Sequence, residues 1–238
     1  MGSNKNNQDA AINTKAIIAG MVFLFVILQI GFHPTYIQYF PSFEKFTWLH
    51  HVHGALMVSW IILLILQPIL IHKGKYTAHR FIGRLSYLNA PLMIISMFLV
   101  LRFTYHKHIL ETSMREELSN QAPIIMQLFS FIILYSLAII YRKQTYYHMR
   151  FMIGTAMLML IPIVGRIFFE YFGATVWYDL YLVVGLSMIL LINDIRNKQN
   201  WKPYAIVTGV LMSILFVYQI RNTDTWHTVG QFWANNFY

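Results

Sequence analysis

The sequence predicts an all-α fold, a polytopic transmembrane helical bundle of about seven spans. Of the 238 residues, 57% are hydrophobic and only 11% are charged, with a mean hydropathy of +0.51. Soluble domains of this size carry about a quarter charged residues. The apolar residues also form runs close to the roughly 20 residues that cross a bilayer core. These runs cover residues 16–32, 48–71, 81–105, 121–141, 149–171, 176–193 and 203–220.

The chain divides into three segments. Residues 1–15 form a polar segment, residues 16–221 the predicted bundle, and residues 222–238 an aromatic tail of interfacial composition. The polar segment lacks the short apolar core of a cleavable signal peptide, so the first span is predicted to be a retained anchor. The absence of cysteine excludes disulfides, thiolate metal sites and cysteine nucleophiles.

Basic residues are distributed unequally between the two sides of the predicted bundle. Counting the first helical turn beyond each loop, twelve lysines and arginines fall on the side of the N-terminus and the loops 72–80, 142–148 and 194–202, and five on the other side. Loops rich in Lys and Arg stay in the cytoplasm. This predicts a multi-pass protein of the bacterial inner membrane with a cytoplasmic N-terminus and a periplasmic C-terminus. The net charge of +9 then suits anionic lipid headgroups, and nucleic-acid binding is not expected.

The second span carries a polar stripe on one helix face. His53, Trp60 and Gln67 recur every seven residues, with Met57 between them. Imidazole and thioether together suit copper(I), so His53 and Met57, with the shallower His50, form a candidate metal site. Trp60 and Gln67 would be supporting polar residues. The alternative is a hydrogen-bonded boundary histidine above a methionine that fills the core.

The fifth span ends in charged residues. Arg166 lies inside the membrane region, where an unpaired arginine costs about 3 kcal/mol or more. Glu170, four residues on, lies on the same helix face, and Asp179 is a second possible partner. The arginine is therefore either part of a structural ion pair or a clamp for an anion or a haem propionate.

Two histidine motifs open the third and fifth spans. "HRFIG" at 79–83 and "HMRFMIG" at 148–154 each follow a short basic loop. If these spans are neighbours, His79 and His148 would ligate one haem iron or one metal ion from opposite sides. With Arg166 they are the candidate cofactor-binding residues. The alternative is that each histidine only marks the basic membrane boundary.

Several functional classes find no support in the sequence. No lysine lies within a span, which excludes a retinal Schiff base. There is no phosphate-binding glycine loop and no HExxH zinc motif. No serine or threonine is paired with a base as a nucleophile would be. No catalytic residues are therefore assigned, and the sequence favours a protein that is not an enzyme.

Two longer stretches resemble a known set of proteins. "HVHGALMVSWIILLILQPILIHKGKYTAHRFIGRLSYL" and "YYHMRFMIGTAMLMLIPIVGRIF" are similar to a loose set of small bacterial inner-membrane proteins. A relative of that set is an assembly factor for the haem-copper cytochrome oxidase. The resemblance implies a membrane bundle in which His53, His79 and His148 are the important histidines, supported by Arg166 and Gln67.

The leading functional hypothesis is a protein that binds haem b or copper in the assembly or electron transfer of a respiratory complex. Its partners would be the lipid bilayer and that larger complex, or further copies of the chain. One alternative is a non-catalytic accessory subunit of a larger membrane complex. Another is a small-solute transporter lined in part by Gln67 and Arg166.

Overall fold

The computed structural model describes residues 13–174 and 177–238, and every regular element in these ranges is helical. Seven stretches of the described chain are long and apolar enough to cross a membrane. One of them, Tyr76–His108, consists of two helices. This confirms the predicted all-α transmembrane bundle. The α-helices are α1 (Thr14–Phe32), α2 (Trp48–His72), α3 (Tyr76–Gly83), α4 (Ser86–His108), α5 (Met114–Ile140), α6 (Thr145–Phe172), α7 (Tyr178–Arg196), α8 (Lys202–Ile220) and α9 (Asp224–Phe237).

Five helices close into a ring. α1 packs against α2 and α6, α2 against α4, α4 against α5, and α5 against α6. The hairpin of α7 and α8 packs outside this ring on α5 and α6, and α9 lies on α5. The side of the membrane where α1 begins is called the inner side below. The centre is filled by fully buried apolar side chains, among them Trp60, Met93, Phe131, Phe151 and Leu158.

A glycine sets the close approach of α1 to α6. A Cβ atom added to Gly31 would lie 2.6 Å from the carbonyl oxygen of Ile163. Only glycine allows the two backbones to come this close, as is common where membrane helices pack. The contact places the neighbouring Phe32 beside the outer half of α6.

The third span differs from its prediction, because its first part is a separate helix. α3 ends at Gly83 and α4 begins at Ser86, instead of one helix over 81–105. The hydroxyl of Ser86 donates to the carbonyl oxygen of Gly83 at 2.7 Å, which satisfies a carbonyl at the end of α3. The break leaves α3 at the inner membrane boundary, carrying His79.

The segment after residue 221 is a helix that packs on the bundle. The indole N–H of Trp226 donates to the carbonyl oxygen of Leu118 on α5 at 2.9 Å. The hydroxyl of Tyr238 donates to Oε1 of Gln121 at 2.6 Å. Burial raises the pKa of the Tyr238 phenol to about 12, so it stays protonated and keeps this bond. These contacts fix the C-terminal segment across the outer end of α5.

Candidate functional site

His148 lies in the first turn of α6 at the inner membrane boundary, and its ring is held by the preceding helix. Its Nδ1 lies 2.8 Å from the carbonyl oxygen of Ala138, near the end of α5. A carbonyl oxygen only accepts, so Nδ1 carries the proton and donates it. Nε2 of the neutral ring then bears the free lone pair. Histidines that bind metals are commonly oriented by this kind of bond to the other ring nitrogen.

His79 lies in α3 and is held by Gln67 of α2. In the amide orientation that satisfies its surroundings, Oε1 of Gln67 accepts from the N–H of Gly83 at 3.2 Å. Nε2 of the same amide donates to the carbonyl oxygen of His79 at 3.1 Å and lies 2.5 Å from its Nδ1. Gln67 therefore clamps one turn of α3 and orients the histidine ring. The second ring nitrogen, Nε2, lies outside this contact.

The structure places both histidines at the inner membrane boundary, His79 on α3 and His148 on α6. In the part of the chain that the structure describes, no group of three or more His, Cys, Asp or Glu could hold a metal ion. A zinc-type site takes at least three protein ligands, whereas haem iron takes two because the porphyrin supplies the others. Two imidazoles match the number of protein ligands that a haem iron takes.

His53 and His50, near the outer end of α2, are both held by contacts within the protein. Nδ1 of His53 lies 3.1 Å from Oγ of Ser96, and that hydroxyl donates its own proton to the carbonyl oxygen of Met93 at 2.8 Å. The serine oxygen must then accept, so His53 is protonated on Nδ1 and its Nε2 carries the free lone pair. His50 is used differently, since its Nδ1 accepts from the backbone N–H of Thr47 and completes the cap of α2.

Met57 and Trp60, which follow His53 on α2, pack in the core. Met57 is half-buried and packs against the buried apolar residues of the ring. Trp60 is 0% exposed, and its ring centroid lies 5.4 Å from that of Phe131 and 5.5 Å from that of Tyr135. These contacts give both side chains a packing role.

Arg166 lies in the outer half of α6, with its guanidinium against an aromatic ring. Nη1 donates to the carbonyl oxygen of Pro162 at 2.8 Å, and Cζ lies 4.2 Å from the ring centroid of Phe32 on α1. The aromatic face of Phe32 stabilises the cation from one side.

The acidic residues near Arg166 do not pair with it. None of the ion pairs within residues 13–174 and 177–238 involves Arg166. Glu170 is exposed, and the buried Asp179 lies against Gly165 of α6. His148 is 18 residues before Arg166, which is about 27 Å along the helix. Arg166 and the inner histidines therefore belong to separate sites.

A buried ion pair was missed by the sequence analysis. Nε of Arg150 lies 2.7 Å from Oδ2 of Asp194, joining α6 to α7, and Nη2 lies 2.9 Å from Oδ1. The hydroxyl of Tyr146 donates to the same carboxylate at 3.0 Å, and Nη2 donates to Oε1 of Gln199 at 3.1 Å. The aspartate at the inner end of an apolar span was the signal that could have indicated this pair.

Comparisons with models of protein families, with curated proteins and with solved structures found no match to this chain.

Proposed function

We propose that this integral membrane protein binds haem b between His79 and His148 and serves electron transfer or assembly in a respiratory complex. The observation that supports it is the pair of imidazoles from two different helices, each anchored through Nδ1. Such anchoring leaves the lone pair of Nε2 free on His148, whereas His79 would bind through Nε2 only after releasing the proton held there. Haem, when bound there, supplies one-electron redox chemistry.

The protonation states of the two rings define what the protein contributes. His148 is ready to bind through Nε2, because its proton is held on Nδ1 by the Ala138 carbonyl. His79 accepts from Gln67 at Nδ1, so its neutral ring carries the proton on Nε2. Gln67 would hold the His79 ring in place for a ligand, which makes Gln67 a positioning residue.

We expect haem to be lost when either histidine is replaced. The His79→Ala and His148→Ala proteins should purify without haem, while the wild type carries it stoichiometrically, because a single imidazole holds the iron far less tightly. Haem per protein is measured by the pyridine haemochromogen assay on detergent-purified samples. His72→Ala is the matched control, since His72 also lies at the inner boundary and its ring bonds to Thr14 in α1.

Two outcomes would contradict the proposal. One is undiminished haem in both alanine variants. The other is a wild-type protein that melts normally in detergent but contains no haem after expression in cells supplied with a haem precursor. The second outcome would favour an accessory subunit of a larger membrane complex.

We also infer the orientation of the chain from its charge distribution. The basic loops between α2 and α3, α5 and α6, and α7 and α8 all lie on the inner side, together with the start of α1. By the rule that cytoplasmic loops are rich in Lys and Arg, this side is the cytoplasm of a bacterial inner membrane.

The absence of cysteine makes this orientation directly testable. A membrane-impermeant maleimide added to spheroplasts should label Glu111→Cys, between α4 and α5. It should label Lys143→Cys, between α5 and α6, only after the membrane is permeabilised. Both positions are exposed, so access depends on the side of the membrane. The reverse pattern of labelling would overturn the orientation.

A further inference from the structure

We propose that α3 and the loop before it bind an anionic phospholipid at the inner boundary of the membrane. Four basic side chains, called the basic patch below, hold the phosphate: Lys73, Lys75, Arg80 and Arg84. An acyl chain of the same lipid lies along the lipid-facing side of α4. Lipid binding at this surface requires no haem, since the basic patch is separate from the contact between Gln67 and His79.

α3 lies at the level of the lipid headgroups. α4 has 23 residues, and at a rise of 1.5 Å per residue it is about 34 Å long, which is enough to cross the hydrocarbon core by itself. α3 precedes α4 on the inner side, so its exposed side chains lie beyond that core. Lysine and arginine at this depth attract anionic lipids.

The charges of the basic patch are not neutralised by the described part of the protein. All four side chains are exposed, and none takes part in an ion pair within residues 13–174 and 177–238. Among these residues the inner side has one carboxylate, Asp194, and both of its oxygens bind Arg150. The acidic residues nearest along the chain, Glu44 and Glu111, lie on the outer side. An anionic headgroup supplies the missing charge.

An apolar stripe begins beside the basic patch and continues along α4 into the membrane. Arg84 and Leu85 keep helical dihedral angles, so the helical spacing carries across the short break between α3 and α4. Apolar side chains recur there at steps of four and three residues, and each is 40% exposed or more: Phe81, Leu85, Leu88, Leu92 and Ile95. Such spacing places them on one side of the helix. An acyl chain can lie on this stripe while its phosphate binds the basic patch.

The cations and the apolar side chains form neighbouring rows on the exposed side of α3. Arg80 and Arg84 are one helical turn apart. Phe81 and Leu85 each follow one of these arginines by one residue, which is a rotation of about 100° around the helix. A helix with a basic row beside an apolar row is typical of binding to anionic lipid surfaces. Because the apolar row continues into the membrane, where a soluble acidic protein cannot contact it, the surface fits a lipid.

The test is native mass spectrometry of the detergent-purified full-length protein, titrated with anionic dioleoylphosphatidylglycerol or with zwitterionic dioleoylphosphatidylcholine. The wild type should bind phosphatidylglycerol more tightly than phosphatidylcholine. Arg80→Gln/Arg84→Gln should weaken the binding of phosphatidylglycerol about 10- to 30-fold, because two cations near the headgroup are lost. Arg142→Gln/Lys143→Gln is the matched control, since it removes two cations from the loop between α5 and α6 on the same side. This control should bind phosphatidylglycerol as the wild type does.

Two further variants separate the charge from the apolar contact. Arg80→Lys/Arg84→Lys should keep most of the preference for phosphatidylglycerol, because both charges remain. Phe81→Ala should weaken the binding of both lipids alike, because it shortens the apolar stripe and leaves the charges in place. Equal binding of the two lipids by the wild type, where no variant can misfold, would overturn the proposal and leave the basic patch to an acidic protein. Equal losses in the two double glutamine variants would also overturn it, because they would show a general effect of charge instead of a site on α3.

Discussion

Replacement of Asp194 by asparagine should destabilise the protein by about 3–5 kcal/mol, the range measured when one partner of a buried ion pair is removed. The side chains of Arg150 and Asp194 are only 5% and 2% exposed. The Arg150 guanidinium also lies over the ring of Tyr146, with Cζ 3.2 Å from its centroid. Asparagine keeps the size of the side chain but leaves the guanidinium buried without a counter-charge. The loss of stability should therefore exceed the loss caused by removing one neutral hydrogen bond.

The measurement is SDS-induced unfolding in mixed micelles. Asp224→Asn is the matched control, because the pair of Arg115 and Asp224 has the same chemistry but its side chains are 56% and 92% exposed. Exposed pairs contribute little, so this variant should unfold close to the wild type. The double variant Arg150→Met/Asp194→Leu should recover much of the stability, because it removes both charges. Equal stability of Asp194→Asn and Asp224→Asn would contradict the assigned role of the pair.

Replacement of Trp60 by alanine should cost about 3–5 kcal/mol, because it leaves a large cavity in the centre of the ring. Trp60 is among the largest fully buried side chains, and it contacts the rings of Phe131 and Tyr135 on α5. The indole N–H has no hydrogen-bond partner among the described residues, so the loss is one of packing.

The same unfolding assay tests this prediction, with Trp48→Ala as the control. Trp48 begins α2 at the outer boundary and is 71% exposed, so its removal should change the stability little. A Trp60→Ala protein as stable as Trp48→Ala would mean that the ring of helices does not depend on its central tryptophan.

The helical spans could be predicted because each apolar run has to cross the bilayer by itself. The division of the third span could not, since it depends on a contact between helices. Gln67 of α2 bonds to the backbone of His79 and Gly83, and the chain then turns into α4. The stretch 106–120, between two apolar runs, extends α4 to His108 and begins α5 at Met114. Ser113 caps α5 by accepting from the N–H of Glu116, which ends the loop there.

The positions of the candidate site residues within the spans could be predicted from the sequence, but the contacts between them could not. The motifs at His79 and His148 place both residues at one membrane boundary, and the structure has both there, on α3 and α6. The intramembrane position of Arg166 was evident from the sequence. Its contact with Phe32 depends on the approach of α1 at Gly31, and no sequence pattern indicates that approach. Arg150 and Asp194 are 44 residues apart, so their pairing could not be inferred from helical spacing.

The absorption spectrum of the detergent-purified wild-type protein, oxidised and then reduced, with metal analysis of the same sample, tests haem binding by His79 and His148 most directly. We expect a Soret band that shifts and sharpens on reduction, iron equal to the haem content, and the spectrum of a low-spin haem with two histidine ligands. A colourless protein after haem supplementation would contradict the proposed function, and stoichiometric copper in that sample would assign the cofactor to His53 and Met57 instead.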